Sequence, residues 1–113
     1  MDYERFTLKA QEAVQTAATE ARNRANPEVV PAHLLYALLG SAEGIIYPVV
    51  TRLGATPAEL RSAAEQVLST VPTAHGATAQ PTLSRGLVAV LDSAEQAARG
   101  LGDDYTSTEH LLL

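Results

Sequence analysis

Residues 83–113 read LSRGLVAVLDSAEQAARGLGDDYTSTEHLLL, and laid without a gap over residues 6–36, FTLKAQEAVQTAATEARNRANPEVVPAHLLY, they form a second copy of one design. Ala17, Ala21, Arg22, His33, Leu34 and Leu35 fall opposite Ala94, Ala98, Arg99, His110, Leu111 and Leu112. Phe6 opposite Leu83, Thr7 opposite Ser84, Ala13 opposite Val90 and Val14 opposite Leu91 are conservative exchanges. A single register thus satisfies helix cap, apolar stripe and terminal motif together. A repeated two-helix unit is a module that buries its apolar faces against its own copy.

The first copy predicts a helix from Thr7, whose hydroxyl can cap the opening turn, to about Ala25. Its stripe is Ala10, Ala13, Val14, Ala17 and Ala21, and alanines at this spacing let a partner helix approach closely. Glu20 and Arg24 are spaced as an i, i+4 pair. Pro31 suits the first position of a second helix, His33 to Leu39, which is apolar nearly all round and so expected to be buried. A turn at Gly40–Gly44 precedes Ile45-Ile46-Tyr47-Pro48-Val49-Val50. This run is β-branched, but Pro48 fits a first helical turn and no second strand is in view, so it reads as a short helix ending at Leu53-Gly54. Thr56-Pro57-Ala58-Glu59 has the pattern of a capping box, opening a helix with Leu60, Ala63, Ala64, Val67 and Leu68 on one face. Residues 1–70 make up the first copy and 71–82 a Pro/Gly/Ala/Thr-rich linker.

The second copy, 83–113, opens with Ser84 as cap, with Leu83 and Val88 placed as a hydrophobic staple. Leu87, Val90, Leu91, Ala94 and Ala98 repeat the first stripe in bulkier residues, and the two stripes are expected to pack on each other. Glu95 and Arg99 repeat the i, i+4 pair, and Ser107 caps a last helix that has only begun at Leu113. By its own internal logic the second copy is cut partway through. The fold class is all-α, a pseudo-twofold double repeat.

Composition narrows the function. Hydrophobic residues make up 46% of the 113 and charged residues 19%, the balance of one globular domain. A net charge of −5, with no basic run, argues against nucleic acid as a partner. Cysteine is absent, and the mixed N-terminus and lack of a long apolar run point to a cytoplasmic protein with no membrane partner. His33 and His110 recur at equivalent positions, and each can bond locally to backbone near the start of a buried helix. With His75 in the linker and no further ligand at suitable spacing, they read as structural and no metal is expected. No serine lies in Gly-x-Ser-x-Gly, and Asp103-Asp104 reads as a solvated turn, so no enzyme is indicated.

Phe6-Thr7-x-x-Ala10, Pro31-Ala32-His33-Leu34-Leu35-x-Ala37-Leu38-Leu39 and Tyr105-x-Ser107-Thr108-Glu109-His110-Leu111-Leu112 resemble the N-terminal (Clp N) domain of the Clp family of AAA+ unfoldases, a double repeat of four helices each. Asn26-Pro27-Glu28, the linker from Leu68-Ser69-x-x-Pro72 to Gln80-Pro81, and Gly102-Asp103-Asp104-Tyr105 are most similar to the ClpB disaggregase branch. The resemblance implies further helices after Leu113 in a complete domain. It also implies a non-catalytic recruiter that binds unfolded or aggregated polypeptide in an apolar groove and hands it to the AAA+ ATPase domains of a parent chain. ATP belongs to those domains; no phosphate loop is present, and no cofactor is expected in this one. Alternatives on the same fold are a ClpC- or ClpA-like protease-associated domain reading adaptors or degrons, and a stand-alone regulatory protein.

Three positions carried over from the resemblance are Thr7, Asp103 and Glu109. Each also has a structural reading: a helix cap, a turn residue, and a carboxylate in a first helical turn. In the ClpC branch a glutamate precedes the histidine of each copy, and the pair recognises phosphorylated arginine. Here the first of these is Ala32 and only Glu109 remains. Candidate groove residues are Ile45, Ile46, Tyr47, Val88 and Leu91, apolar and not all required by the stripes.

Overall fold

The structure, a computed structural model, describes residues 3–40, 45–73 and 81–112. His75, most of the turn up to Gly44, the middle of the linker and Leu113 lie outside the described residues. After a 3-10 turn at Tyr3–Arg5 come α1 (Leu8–Asn23), β1 (Glu28–Val29), α2 (Pro31–Leu38), α3 (Ile46–Arg52), α4 (Pro57–Leu68), β2 (Thr82–Leu83), α5 (Arg85–Gly100) and α6 (Thr108–Leu112).

Local chemistry starts these helices much as the sequence predicts. Thr7 Oγ1 accepts from the Ala10 N–H at 3.2 Å, and its counterpart Ser84 Oγ accepts from the Leu87 N–H at 3.0 Å. Thr56 differs: it stands at the N-cap of α4, but its side chain makes no capping bond. Pro57 suffices there, because it presets the helical φ and holds Thr56 in the extended region. The run after Ile45 is helical, as expected.

The stripes of α1 and α5 face one continuous core that holds Ala10, Val14, Ala17, Ala21, Leu87, Leu91 and Ala94. They do not pack extensively on each other, contrary to expectation. Instead α1 lies on α2 and α6, and α5 lies on α6 and α2. The reason is the composition of the short helices. Apolar nearly all round, α2 sits in the middle, as does α6 with its buried His110 and Leu111, and each receives a long helix from its own copy and one from the other. The α4 face is also narrower than its periodicity suggests. Ala64 and Leu68 are buried and Leu60 half-buried, whereas Ala63 and Val67 are exposed. This helix is peripheral, tied down by Arg24, whose Nε donates to Glu20 Oε1 at 2.7 Å and whose guanidinium pairs with Glu65 of α4. Arg24 and Arg61 both lie over the Tyr36 ring, 5.3 and 4.2 Å from its centroid.

Two short parallel backbone joints, invisible to any periodicity, link the copies. Glu28–Val29 pairs with Thr82–Leu83, and Phe6 with Thr106. Under the register that places Phe6 on Leu83, these are the same joint made twice. The Ser84 N–H donates to the Val29 carbonyl at 2.9 Å, and the Thr7 N–H donates to the Thr106 carbonyl at 2.8 Å. Two-residue strands leave no alternating pattern in a sequence, so the class remains all-α with a joint that no strand signal announces.

Both long helices end in the same Schellman motif, with one residue in the left-handed region. The Asn26 N–H reaches back to the Ala21 carbonyl and the Asp103 N–H to the Ala98 carbonyl, each at 2.8 Å. The residue in the left-handed region is Gly102, φ +77°, in the second copy but Ala25, φ +59°, in the first. Alanine in that region carries a steric cost that glycine lacks. Ala25→Gly is therefore expected to raise stability by roughly 0.5 kcal/mol, and Gly102→Ala to lower it by about 1 kcal/mol, both read as shifts in urea midpoint. A Cβ at Gly102 would meet no atom within 4 Å, so that loss reports backbone strain alone.

Candidate client groove and polar corner

An apolar depression lies where the two copies meet. Its walls are Pro31, Ala32, Leu34, Leu35 and Leu38 of α2, Val90 of α5, and Leu111 and Leu112 of α6, around a volume of about 290 Å³. Leu34, Leu38 and Leu111 are buried and form the floor; Leu35, Val90 and Leu112 are half-buried and form the rim. Leu34 and Leu111, like Leu35 and Leu112, are repeat counterparts, so the groove straddles the pseudo-twofold relation. Beside α6 lies α3, whose Ile46 and Val50 are buried.

The predicted groove residues fall elsewhere. Leu91 is fully buried and Ile46 is 5% exposed, so both are core, as the inward stripe of α5 and the packing of α3 require. Ile45 and Val88 are exposed, and Tyr47 is half-buried with its hydroxyl donating to the Leu39 carbonyl at 2.9 Å. None of the five lines the groove. The signal that finds it is the apolar character of α2: a short helix apolar on every side keeps apolar surface beyond what its neighbours α1, α4 and α5 cover.

Thr7 and Asp103 do come together, around the segment Thr106–His110. Thr7 is bonded to Thr106 as above, and Asp103 Oδ2 accepts from His110 Nε2 at 2.8 Å. Glu109, half-buried, is the second residue of α6. Beside them lies a small polar cleft of about 130 Å³, lined by Arg5, Glu95, Ala98, Arg99, Asp103, Asp104 and Thr106. Asp103 is therefore more than a turn residue. The Ser107 N–H donates to His110 Nδ1 at 2.9 Å, which leaves Nε2 to carry the proton and donate it to the carboxylate. The first copy repeats the arrangement: the Val30 N–H donates to His33 Nδ1 at 2.9 Å, and His33 Nε2 donates to Asn26 Oδ1 at 2.9 Å. Each imidazole thus ties the end of a long helix to the start of the next short one. The same register that aligns the histidines places Asn26 opposite Asp103, and that match was the legible sign of their shared role. Among the described residues no three His, Asp or Glu side chains are grouped to hold a metal ion, and no helix is long and apolar enough to cross a membrane.

Residues 5–113 match the family described as the Clp repeat (R) N-terminal domain. A chaperone protein ClpB of Mycobacterium bovis is 42% identical over 113 residues, all of this chain, which spans 13% of that relative's length. The Hsp104 N-terminal domain from Candida albicans superposes with a TM-score of 0.83 at 21% identity, over 95% of this chain and 70% of that one. A ClpV N-domain solved in complex with a VipB peptide gives 0.79 at 21% identity, over 96% and 66%. With its duplicated helices, crossed joints and paired histidines, the chain belongs to the Clp repeat N-terminal domain family.

Proposed function

We propose that this chain is the substrate-recruiting N-terminal domain of a ClpB-like, ATP-dependent disaggregase, and that it captures unfolded or aggregated polypeptide in the α2–α5–α6 groove. In this reading it acts in the cytoplasm, performs no chemistry itself, and delivers clients to ATPase domains that hold the nucleotide. The observation that carries the reading is an accessible apolar depression, floored by leucines and without a charged side chain in its lining, in a chain whose ClpB relative aligns over its whole length. Such a lining rewards exposed aliphatic side chains whatever their sequence, which is what distinguishes unfolded from folded clients. The peptide complex of a ClpV N-domain supports peptide capture as a use of this fold. Ala32 in place of a glutamate leaves Glu109 without the paired carboxylate that the resemblance assigns to the phosphoarginine-reading ClpC branch, which favours apolar capture over recognition of a guanidinium.

Titration with a reduced, permanently unfolded protein is expected to shift the amide NMR signals of Leu35, Val90 and Leu112, with Ile45, Tyr47 and Val88 reporting any wider footprint. Val90→Asp, at the half-buried rim, is expected to weaken that binding by about tenfold, the cost of leaving a carboxylate against apolar surface. Silence at all three rim residues at saturating client would refute the groove.

Thr7, Asp103 and Glu109 belong to this reading as the corner that fixes α6, the groove's second wall. Asp103→Asn keeps an acceptor for His110, as Asn26 does for His33, and is expected to leave both the urea midpoint and client affinity near wild type. Asp103→Ala removes it and is expected to cost about 1 kcal/mol of stability, water replacing part of the bond at this half-exposed carboxylate. Loss of client binding in Asp103→Asn at unchanged stability would instead assign the carboxylate charge a direct role.

A further inference from the structure

The two histidine joints share a geometry but differ in what they can do with a second proton. In each, the short-helix imidazole accepts a backbone N–H at Nδ1, so only the neutral ring satisfies both bonds. A protonated ring carries a hydrogen on Nδ1 and must find an acceptor there. In the second copy two acceptors are in place: the Ser107 hydroxyl lies 3.1 Å from Nδ1, and the Asp103 carboxylate takes the other side of the ring. In the first copy the residue at the position of Ser107 is Val30, which has no side-chain acceptor, and the partner at Nε2 is the uncharged Asn26 amide.

We propose that the Asn26–His33–Val30 joint is an acid-sensitive latch on the entry to α2, opening when the His33 ring gains a proton, whereas the Asp103–His110–Ser107 joint holds.

The surroundings reinforce the difference. His33 is fully buried, and burial first, then the Arg24 guanidinium, hold its pKa below the ordinary value, with Glu20 opposing. Both groups face it from α1, and Glu65 reaches it from α4 only through its pairing with Arg24. Around the second joint stand Asp103 and, in the adjoining cleft, Arg5, Glu95, Arg99 and Asp104. Because the unfolded chain binds a proton at His33 more readily than the folded one, stability contributed by this residue is intact above about pH 6.5 and is lost as pH falls below it. Pro31 and Ala32, immediately beyond the latch, belong to the groove wall, so opening it reshapes that wall. Only this last consequence rests on the proposed function; the latch itself does not.

Amide hydrogen exchange, followed by NMR on the 113-residue protein and expressed as protection factors, tests the latch. The His33 N–H, bonded to the Val30 carbonyl, and the His110 N–H, bonded to the Ser107 carbonyl, report whether each helix entry stays closed. Between about pH 7.5 and about pH 5 the His33 amide is expected to lose roughly tenfold in protection, while the His110 amide loses under about threefold. Val30→Ser supplies the hydroxyl acceptor of the second copy, and His33→Gln keeps an untitratable acceptor for the Val30 N–H; each is expected to bring the loss at the residue 33 amide under about threefold. Equal losses at residues 33 and 110, or no loss at residue 33, would overturn the proposal in the wild-type protein alone. A Val30→Ser protein that folds and loses as much protection as wild type would do so independently.

Discussion

Two crossed backbone bonds hold this molecule in its form: Thr7 N–H to the Thr106 carbonyl, and Ser84 N–H to the Val29 carbonyl. Each joins the N-cap of one copy's long helix to the segment just ahead of the other copy's short helix. Neither copy alone presents a surface on which its long helix can bury both flanks. The crossed bonds place α2 and α6 between α1 and α5, and the core then forms as one cluster rather than two. Burial of Phe6 and Val29, 2% and 0% exposed, keeps water away from the joints and makes those bonds costly to leave unmade.

What the sequence discloses and what it hides follow from the range of the interactions. The caps Thr7 and Ser84, the stripes and the recurrence of His33 and His110 are local or periodic, and each is readable along the chain. Pairing of two-residue strands is neither, so the joint at residues 28–29 and 82–83 leaves no signal. The depression between α2, α5 and α6 was not legible for a related reason. Leu91 and Val90 are adjacent in sequence, yet a turn of about 100° per residue sends one to the core and the other to the rim. Choosing between them requires knowing which neighbours α5 faces, and those are α6 and, from the other copy, α2. Asp103 was legible in principle, since the repeat register sets it against Asn26, but its role appears only once both imidazoles are seen to bridge the same two elements.

Where the copies differ is as informative as where they agree. Backbone geometry is retained at Ala25 and Gly102, although the first pays a steric cost. Chemistry changes at Asn26 and Asp103, Val30 and Ser107, and Ala32 and Glu109. These exchanges all fall at the entry to a short helix, the place where each copy meets the groove or the polar corner. Arg24, which fastens α4 to the first copy, has Leu101 as its counterpart, 68% exposed. The first copy therefore holds its outer helix through ions and a cation–π stack, while the second presents aliphatic surface at the matching position. Duplication fixed the frame, and the polar groups at the corners then diverged without disturbing it, because the joints that carry the frame are made by main-chain atoms.

That divergence bears on how a groove of this kind can recognise clients at all. Binding that depended on placed donors and acceptors would demand one sequence; a leucine floor with a half-buried rim demands only aliphatic side chains. The α3 helix packs on α6 and α4 and carries Ile46 and Val50, both buried. The depression walled by α2, α5 and α6 is likewise floored by leucines. In the client-capture reading, an unfolded segment bearing branched aliphatic residues has the same reason to settle on it. A client loses conformational entropy when it does so, and a surface this small returns only a few aliphatic contacts, so capture should be weak and readily reversed. Weakness of that order suits a recruiter, which must release what it holds to the machinery beyond it.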